Sequence, residues 1–170
     1  MDYGMTQMNP SKADSINLPD VPSLYVNAKN AFVLSTDGEV STLSHARASQ
    51  ILQNTPVLVC HAPYTSKRLG VSSLMAFDVL ELFAFVHPAT FCVPTPVGLA
   101  KALGIPAPQE AEDYPLALVQ CASALLSDIR QDQWRGRADP LKIAGVMGQN
   151  GKGWPWTSFI FSALGQKFDD

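Results

Sequence analysis

An α/β domain is the fold class this chain predicts. Three observations carry it. Short apolar strands around an Asp37-Gly38 hairpin come early. A wholly apolar run, Val57–Cys60, fits a strand buried on both faces. From there on, strand-like and capped helix-like segments alternate.

The elements follow in chain order. Residues 1–20 are polar, contain Pro10 and Pro19 and show no periodicity, which predicts a mobile tail. Ala31–Ser35 is a short apolar strand, and Glu39–Leu43 returns beside it after the turn. Ser44 caps a helix to about Gln53, with Ala48, Ile51 and Leu52 on one face. Pro56 opens the Val57–His61 strand. Tyr64–Leu69 forms one or two helical turns, stopped by Gly70, and Leu74–Phe77 is a short strand.

Asp78 with Glu81 three residues on is a capping box, so a helix runs from Val79 to about Val86 and ends at His87-Pro88. Thr95-Pro96 opens the next helix and Gly104 closes it. Asp113 caps the longest helix, from Tyr114 to about Ile129, with a buried stripe of Leu118, Ala122, Leu125, Leu126 and Ile129. The polar stretch Arg130–Arg137 reads as a loop. Helices from Asp139-Pro140 and from Pro155 complete the chain. The domain division is therefore a tail at 1–20, a core domain at 21–130 and a helical extension at 131–170.

Composition bounds the function. The 170 residues suit one domain, and 46% hydrophobic with 16% charged residues is ample for a core. The net charge of -3 and pI near 5.5 give no support to a wholly basic nucleic-acid-binding surface, although a local patch remains compatible. Cys60, Cys92 and Cys121 lie far apart with no CxxC pair, which argues against a cysteine zinc cluster and for buried thiols in a reducing cytoplasm. No secretory leader pattern starts the chain. The most apolar stretch, Leu74–Val86, is broken by Asp78 and Glu81 and is too short to span a bilayer.

The run PVLVCHAPYTSKRLG, the Asp78 helix and the long helix after Asp113 resemble, in order and spacing, a DEDD-type 3′–5′ exonuclease of the ribonuclease-H-like fold. That resemblance implies a mixed sheet flanked by helices, with a small C-terminal helical addition here. It also implies four carboxylates holding two divalent metal ions that activate a water. The residues depart from that set. Asp37-Gly38-Glu39 has the letters of the first motif, near Leu34–Asp37, but sits on a turn. His61 matches the second motif, yet Thr65 and Ser66 stand where its carboxylate belongs. The inward stretch Leu116–Leu126 has neither acid nor His for the third. Asp78 matches a family position that caps a helix. His61, Asp78, Asp37 and Glu39 are thus vestigial-site candidates, with no catalytic or metal-binding residue expected.

The segments CHAPYTSKRLG, AFDVLELFAFVHPATFCVPTP and ADPLKIAGVMGQNGKGW are similar to the N-terminal region of bacterial DinG-type ATP-dependent DNA helicases. In that family a nuclease-like domain, sometimes degenerate, precedes the motor. This implies a non-catalytic accessory domain that docks on the motor of its parent protein or guides single-stranded DNA. The alternatives are a divergent exonuclease using Mg2+ or Mn2+, and a protein-interaction module without nucleic-acid contact. The sequence holds no Walker A loop, DEAH-type box or iron–sulfur cysteine cluster, so no cofactor is expected.

Smaller signals are read as structure. Neighbours on a strand face opposite ways, so Cys60 and His61 make a buried thiol and a hydrogen-bonded strand-end histidine rather than a catalytic pair. Gly145–Lys152 departs from a phosphate loop in spacing and lacks the Ser or Thr after its Lys. Trp154, Trp156, Phe159 and Phe161 suit a core or a domain interface. Lys67 and Arg68 beside His61 are candidate DNA contacts, with a solvated helix face as the default.

Overall fold

The computed structural model of the chain describes residues 15–131 and 139–169. Among them are a five-stranded mixed sheet and seven α-helices. The strands are β1 (Ser23–Val26), β2 (Ala31–Leu34), β3 (Val40–Leu43), β4 (Val57–Val59) and β5 (Ala76–Asp78). Their order is β3-β2-β1-β4-β5. The pairs β1–β2 and β2–β3 are antiparallel, whereas β1–β4 and β4–β5 are parallel.

The expected hairpin and central strand are present. Ser35 and Glu39 close the β2–β3 turn, with the Glu39 carbonyl accepting from the Ser35 N–H at 2.8 Å and Gly38 at φ +90°. That positive φ is why a glycine follows Asp37. Val57, Leu58 and Val59 of β4 are all buried between parallel neighbours.

One strand differs from the sequence reading. The centre of the sheet is β1, a segment of four residues lying between Pro22 and Asn27. It pairs with β2 through a turn in which the Asn27 side chain accepts from the Lys29 and Asn30 N–H groups. So short a segment leaves no periodicity to detect. The 1–20 tail also needs correction at its end: Ile16 and Leu18 pack on the core, while residues 1–14 lie outside the described residues. The strand expected at Leu74–Phe77 is Ala76–Asp78, fixed by its ladder to β4.

The helices are α1 (His45–Ile51), α2 (Ala62–Leu69), α3 (Val79–Val86), α4 (Pro96–Ala102), α5 (Tyr114–Asp128), α6 (Pro140–Gln149) and α7 (Thr157–Ala163). Strand alternation sorts the two faces of the sheet. Leu24, Val26, Val57 and Val59 face α1 and α2, packing with Ala48, Leu52 and Leu69. Leu58 and Cys60 face the other way, into the larger core under α3, α4 and α5. The long helix α5 fills that core with Leu118, Cys121, Ala122, Leu125 and Leu126. Asp113 makes no side-chain cap to it; a 3-10 turn, Ala111–Asp113, leads in instead.

The C-terminal extension shares this core. Trp156, Ile160, Ala163 and Ala144 are buried in the same cluster as α5. The Trp156 indole N–H donates to the Asp78 carbonyl at 2.9 Å, and its ring meets Phe77 edge-on at 5.2 Å. The loop expected at Arg130–Arg137 falls mostly outside the described residues. Because Trp156 is fully buried, Trp156→Ala is expected to cost about 3–5 kcal/mol. Trp156→Phe, which loses the N–H and little volume, is expected to cost about 1–2 kcal/mol. Urea denaturation measures both; a Trp156→Phe cost near zero would show that the indole hydrogen bond contributes nothing.

Candidate functional site

The cleft lies where β1 and β4 end side by side. In a mixed sheet of parallel neighbours, the crevice beyond the carboxyl ends of the strands is where ligands bind. Here it is a slot of about 170 Å3 lined by Tyr25, Cys60, His61, Tyr64, Thr65 and the Pro94–Pro96 loop, among others. Each wall follows from a local rule. Tyr25 points from β1 to the α5 side, where its ring meets Tyr114 at 4.6 Å. Thr65 is in the second turn of α2 and its hydroxyl donates to the His61 carbonyl at 2.9 Å. Thr95 caps α4 by accepting from the Gly98 N–H at 3.0 Å. Gly98 is required there, since a Cβ would lie 2.1 Å from the Val93 carbonyl oxygen.

The chemistry of the slot is neutral and aromatic. Burial pushes the Cys60 thiol up to about 12, helped by the nearby Asp78 charge. Such a thiol stays protonated near neutral pH and is a poor nucleophile. Burial also raises the Tyr25 phenol, with smaller contributions from Tyr114, Tyr64 and Cys60. The Cys60-His61 expectation holds: the thiol is buried, and the His61 ring sits at the strand end with Nδ1 3.4 Å from an Asp78 carboxylate oxygen.

Asp78 is 2% exposed and fully engaged. One carboxylate oxygen accepts from the Glu81 N–H at 3.0 Å and the other from the Ala62 N–H at 2.7 Å. It therefore caps α3, as the sequence predicts, and also the first residue of α2, which the sequence did not suggest.

The vestigial-site candidates do not converge. His61 and Asp78 are neighbours. Asp37 and Glu39 are exposed on the β2–β3 turn. Because β2 runs antiparallel to β1, that turn lies at the opposite end of the sheet from the slot. The strand that lines the slot, β1, consists of Ser23, Leu24, Tyr25 and Val26. Ser23 is buried, its hydroxyl donating to the Pro115 carbonyl at 2.8 Å. On α5 the first acid is Asp128, in the last turn, where it pairs with His87 at 2.8 Å. Among the described residues, no group of three or more His, Cys, Asp or Glu is placed to hold a metal ion.

Lys67 and Arg68 lie in the last turn of α2, one helical turn beyond the slot. Their recess, of about 520 Å3, is lined by Ala28, His45, Tyr64, Lys67 and Arg68. Sequence reading missed His45 and Tyr64, which reach this recess from α1 and from α2 itself. The Trp and Phe residues of the extension face the core side: Trp154 donates to the Glu81 carboxylate at 3.2 Å and packs on Phe85. No helix among the described residues is long and apolar enough to cross a membrane.

Searches of protein-family models, curated proteins and solved structures return no match to this chain.

Two outcomes follow from the site. Asp78→Ala removes two caps and leaves two part-buried N–H groups without their carboxylate partner. It is expected to cost about 2–3 kcal/mol, beyond an ordinary single cap, in urea denaturation; a cost near 1 kcal/mol would mean the Ala62 contact is idle. The buried thiols set the alkaline limit. Their folded values, about 12 for Cys60 and about 11 for Cys121, lie above the ordinary 9.0. The unfolded chain then loses its protons first, so stability falls as pH rises past 9. The urea midpoint is expected to drop between about pH 8 and pH 10, and to drop less in Cys60→Ala compared with its own value at pH 8.

Proposed function

We propose that this chain is a non-catalytic, exonuclease-fold accessory domain of a DNA helicase, which guides single-stranded DNA or docks on the motor of its parent protein. What supports the fold part is the sheet. The order β3-β2-β1-β4-β5, antiparallel among the first three strands and parallel from β1 to β5, with helices on both faces, is compatible with the mixed sheet flanked by helices that the resemblance implies.

The observation that carries the non-catalytic part is the cleft at the ends of β1 and β4. Two-metal hydrolysis needs carboxylates converging on ions about 3.5–4 Å apart. The side chains there are Tyr25, His61, Tyr64, Thr65 and Thr95, and the nearest carboxylate, Asp78, is held by two backbone N–H groups. The DNA-guiding half is favoured by aromatic and basic residues around the same end of the sheet. The docking half is favoured by Phe91, which is 85% exposed on the α3–α4 loop with Val93 nearby and also exposed.

The test is a nuclease assay on labelled single- and double-stranded DNA with Mg2+ and with Mn2+. The expected outcome is no metal-dependent release of nucleotides. Release that is lost in Asp37→Ala, Glu39→Ala or Asp78→Ala, each verified as folded, would replace this reading with a divergent exonuclease.

A further inference from the structure

The recess beside the slot collects positive charge in a chain whose net charge is -3. Lys67 and Arg68 are exposed, and neither makes an ion pair with a carboxylate among the described residues. No acid lines the recess. Arg68 is held in place: its Nε–H donates to the Tyr64 hydroxyl at 3.1 Å and its guanidinium lies 5.3 Å from the centre of that ring. Its two terminal nitrogens are left to point at a ligand. On the opposite wall, His45 Nε2 faces the Asn27 carbonyl at 2.9 Å, which fixes the ring.

An ordered guanidinium beside an ammonium, with no competing acid, suits the oxygens of a phosphate. Tyr64 supplies the second half of the argument, because it lines both this recess and the slot. The slot is about 170 Å3, below the roughly 300 Å3 at which pockets begin to enclose a whole small molecule. It has room for a single ring between Tyr25, Tyr64 and the Pro94–Pro96 loop. A cationic recess sharing an aromatic wall with a ring-sized slot matches a chain that alternates phosphate and base. The base must be unpaired to enter.

We propose that Lys67 and Arg68 form a phosphodiester-binding site for single-stranded nucleic acid, with Tyr64 separating the phosphate from an adjacent base. This rests on the DNA-guiding half of the function proposed above. Lys67 and Arg68 supply the charge, and the Tyr64 hydroxyl presets the Arg68 fork.

The probe is a fluorescent oligodeoxythymidylate of about 20 nucleotides, followed by anisotropy between about 50 and 200 mM KCl. Affinity is expected to fall with salt, with a log–log slope near 0.7 for each phosphate contact. Lys67→Gln with Arg68→Gln is expected to weaken binding and reduce the slope by about 1.4, while Lys142→Gln on α6 leaves both unchanged. Unlabelled single strand is expected to compete better than duplex of the same length. Thermal unfolding confirms that the variants fold, as both side chains are solvent-facing. Wild-type binding with an unchanged slope in the double variant overturns the site but leaves DNA guiding intact. No wild-type binding overturns both and leaves docking. Displacement of the strand by an equal concentration of inorganic phosphate overturns it in favour of a lone-anion site, and equal competition by duplex overturns the base slot.

Discussion

The Asp78 carboxylate ties together three elements at one point. It ends β5, caps α3 through the Glu81 N–H and reaches across to the Ala62 N–H at the start of α2. Helices α2 and α3 leave the sheet on opposite faces, so one side chain fixes the departure of both layers. A carboxylate removed from water is costly unless its oxygens are satisfied. Here two charge-assisted backbone hydrogen bonds and the positive ends of two helices offset that cost. The backbone takes part as well. The Leu80 N–H donates to the Cys60 carbonyl at 3.0 Å, and the Asp78 carbonyl receives the Trp156 indole. The C-terminal extension is thereby anchored to the same residue.

This arrangement also sets the surface at the slot end of the sheet. Asp78 is spent on folding, and β1 presents Tyr25 between two inward-facing aliphatics, Leu24 and Val26. Thr65 turns its hydroxyl back to the His61 carbonyl and closes its own helix turn. The result is a site with hydrophobic walls, ring faces and a basic margin.

The parts of the fold readable in the sequence are those with local causes. Asp37-Gly38, the Asp78 cap and Thr95-Pro96 each state their geometry within four residues and form as read, although Glu81 accepts from Trp154 rather than closing the capping box. Val57–Val59 is likewise recognisable, because a strand with two parallel neighbours must be apolar on both faces. What escaped was long-range. Ser23–Val26 is a strand because β2 and β4 pair with it, and nothing within its own four residues says so. Asp37 and Glu39 carry the letters of an acidic pair, but what puts their turn at the far end of the sheet from the slot is strand pairing, which no local signal states. Pairing distances of the same kind hid the Ala62 contact of Asp78, the approach of His45 to Lys67 and Arg68, and the burial of Ile16 and Leu18.

The Trp156 contact has a consequence for how the chain is made. Its partner is 78 residues earlier, and Ile160 and Ala163 seal the same apolar layer. During synthesis the sheet and α5 emerge first, at about 5–20 residues per second. Until the last two helices follow, the cover over Phe77 and the α5 stripe is missing. The nascent protein therefore spends seconds as a nearly complete sheet with one greasy face open. The docking of Trp156 and α7 decides when it ceases to be sticky, and a ribosome stalled shortly before Trp156 would display a species prone to aggregate.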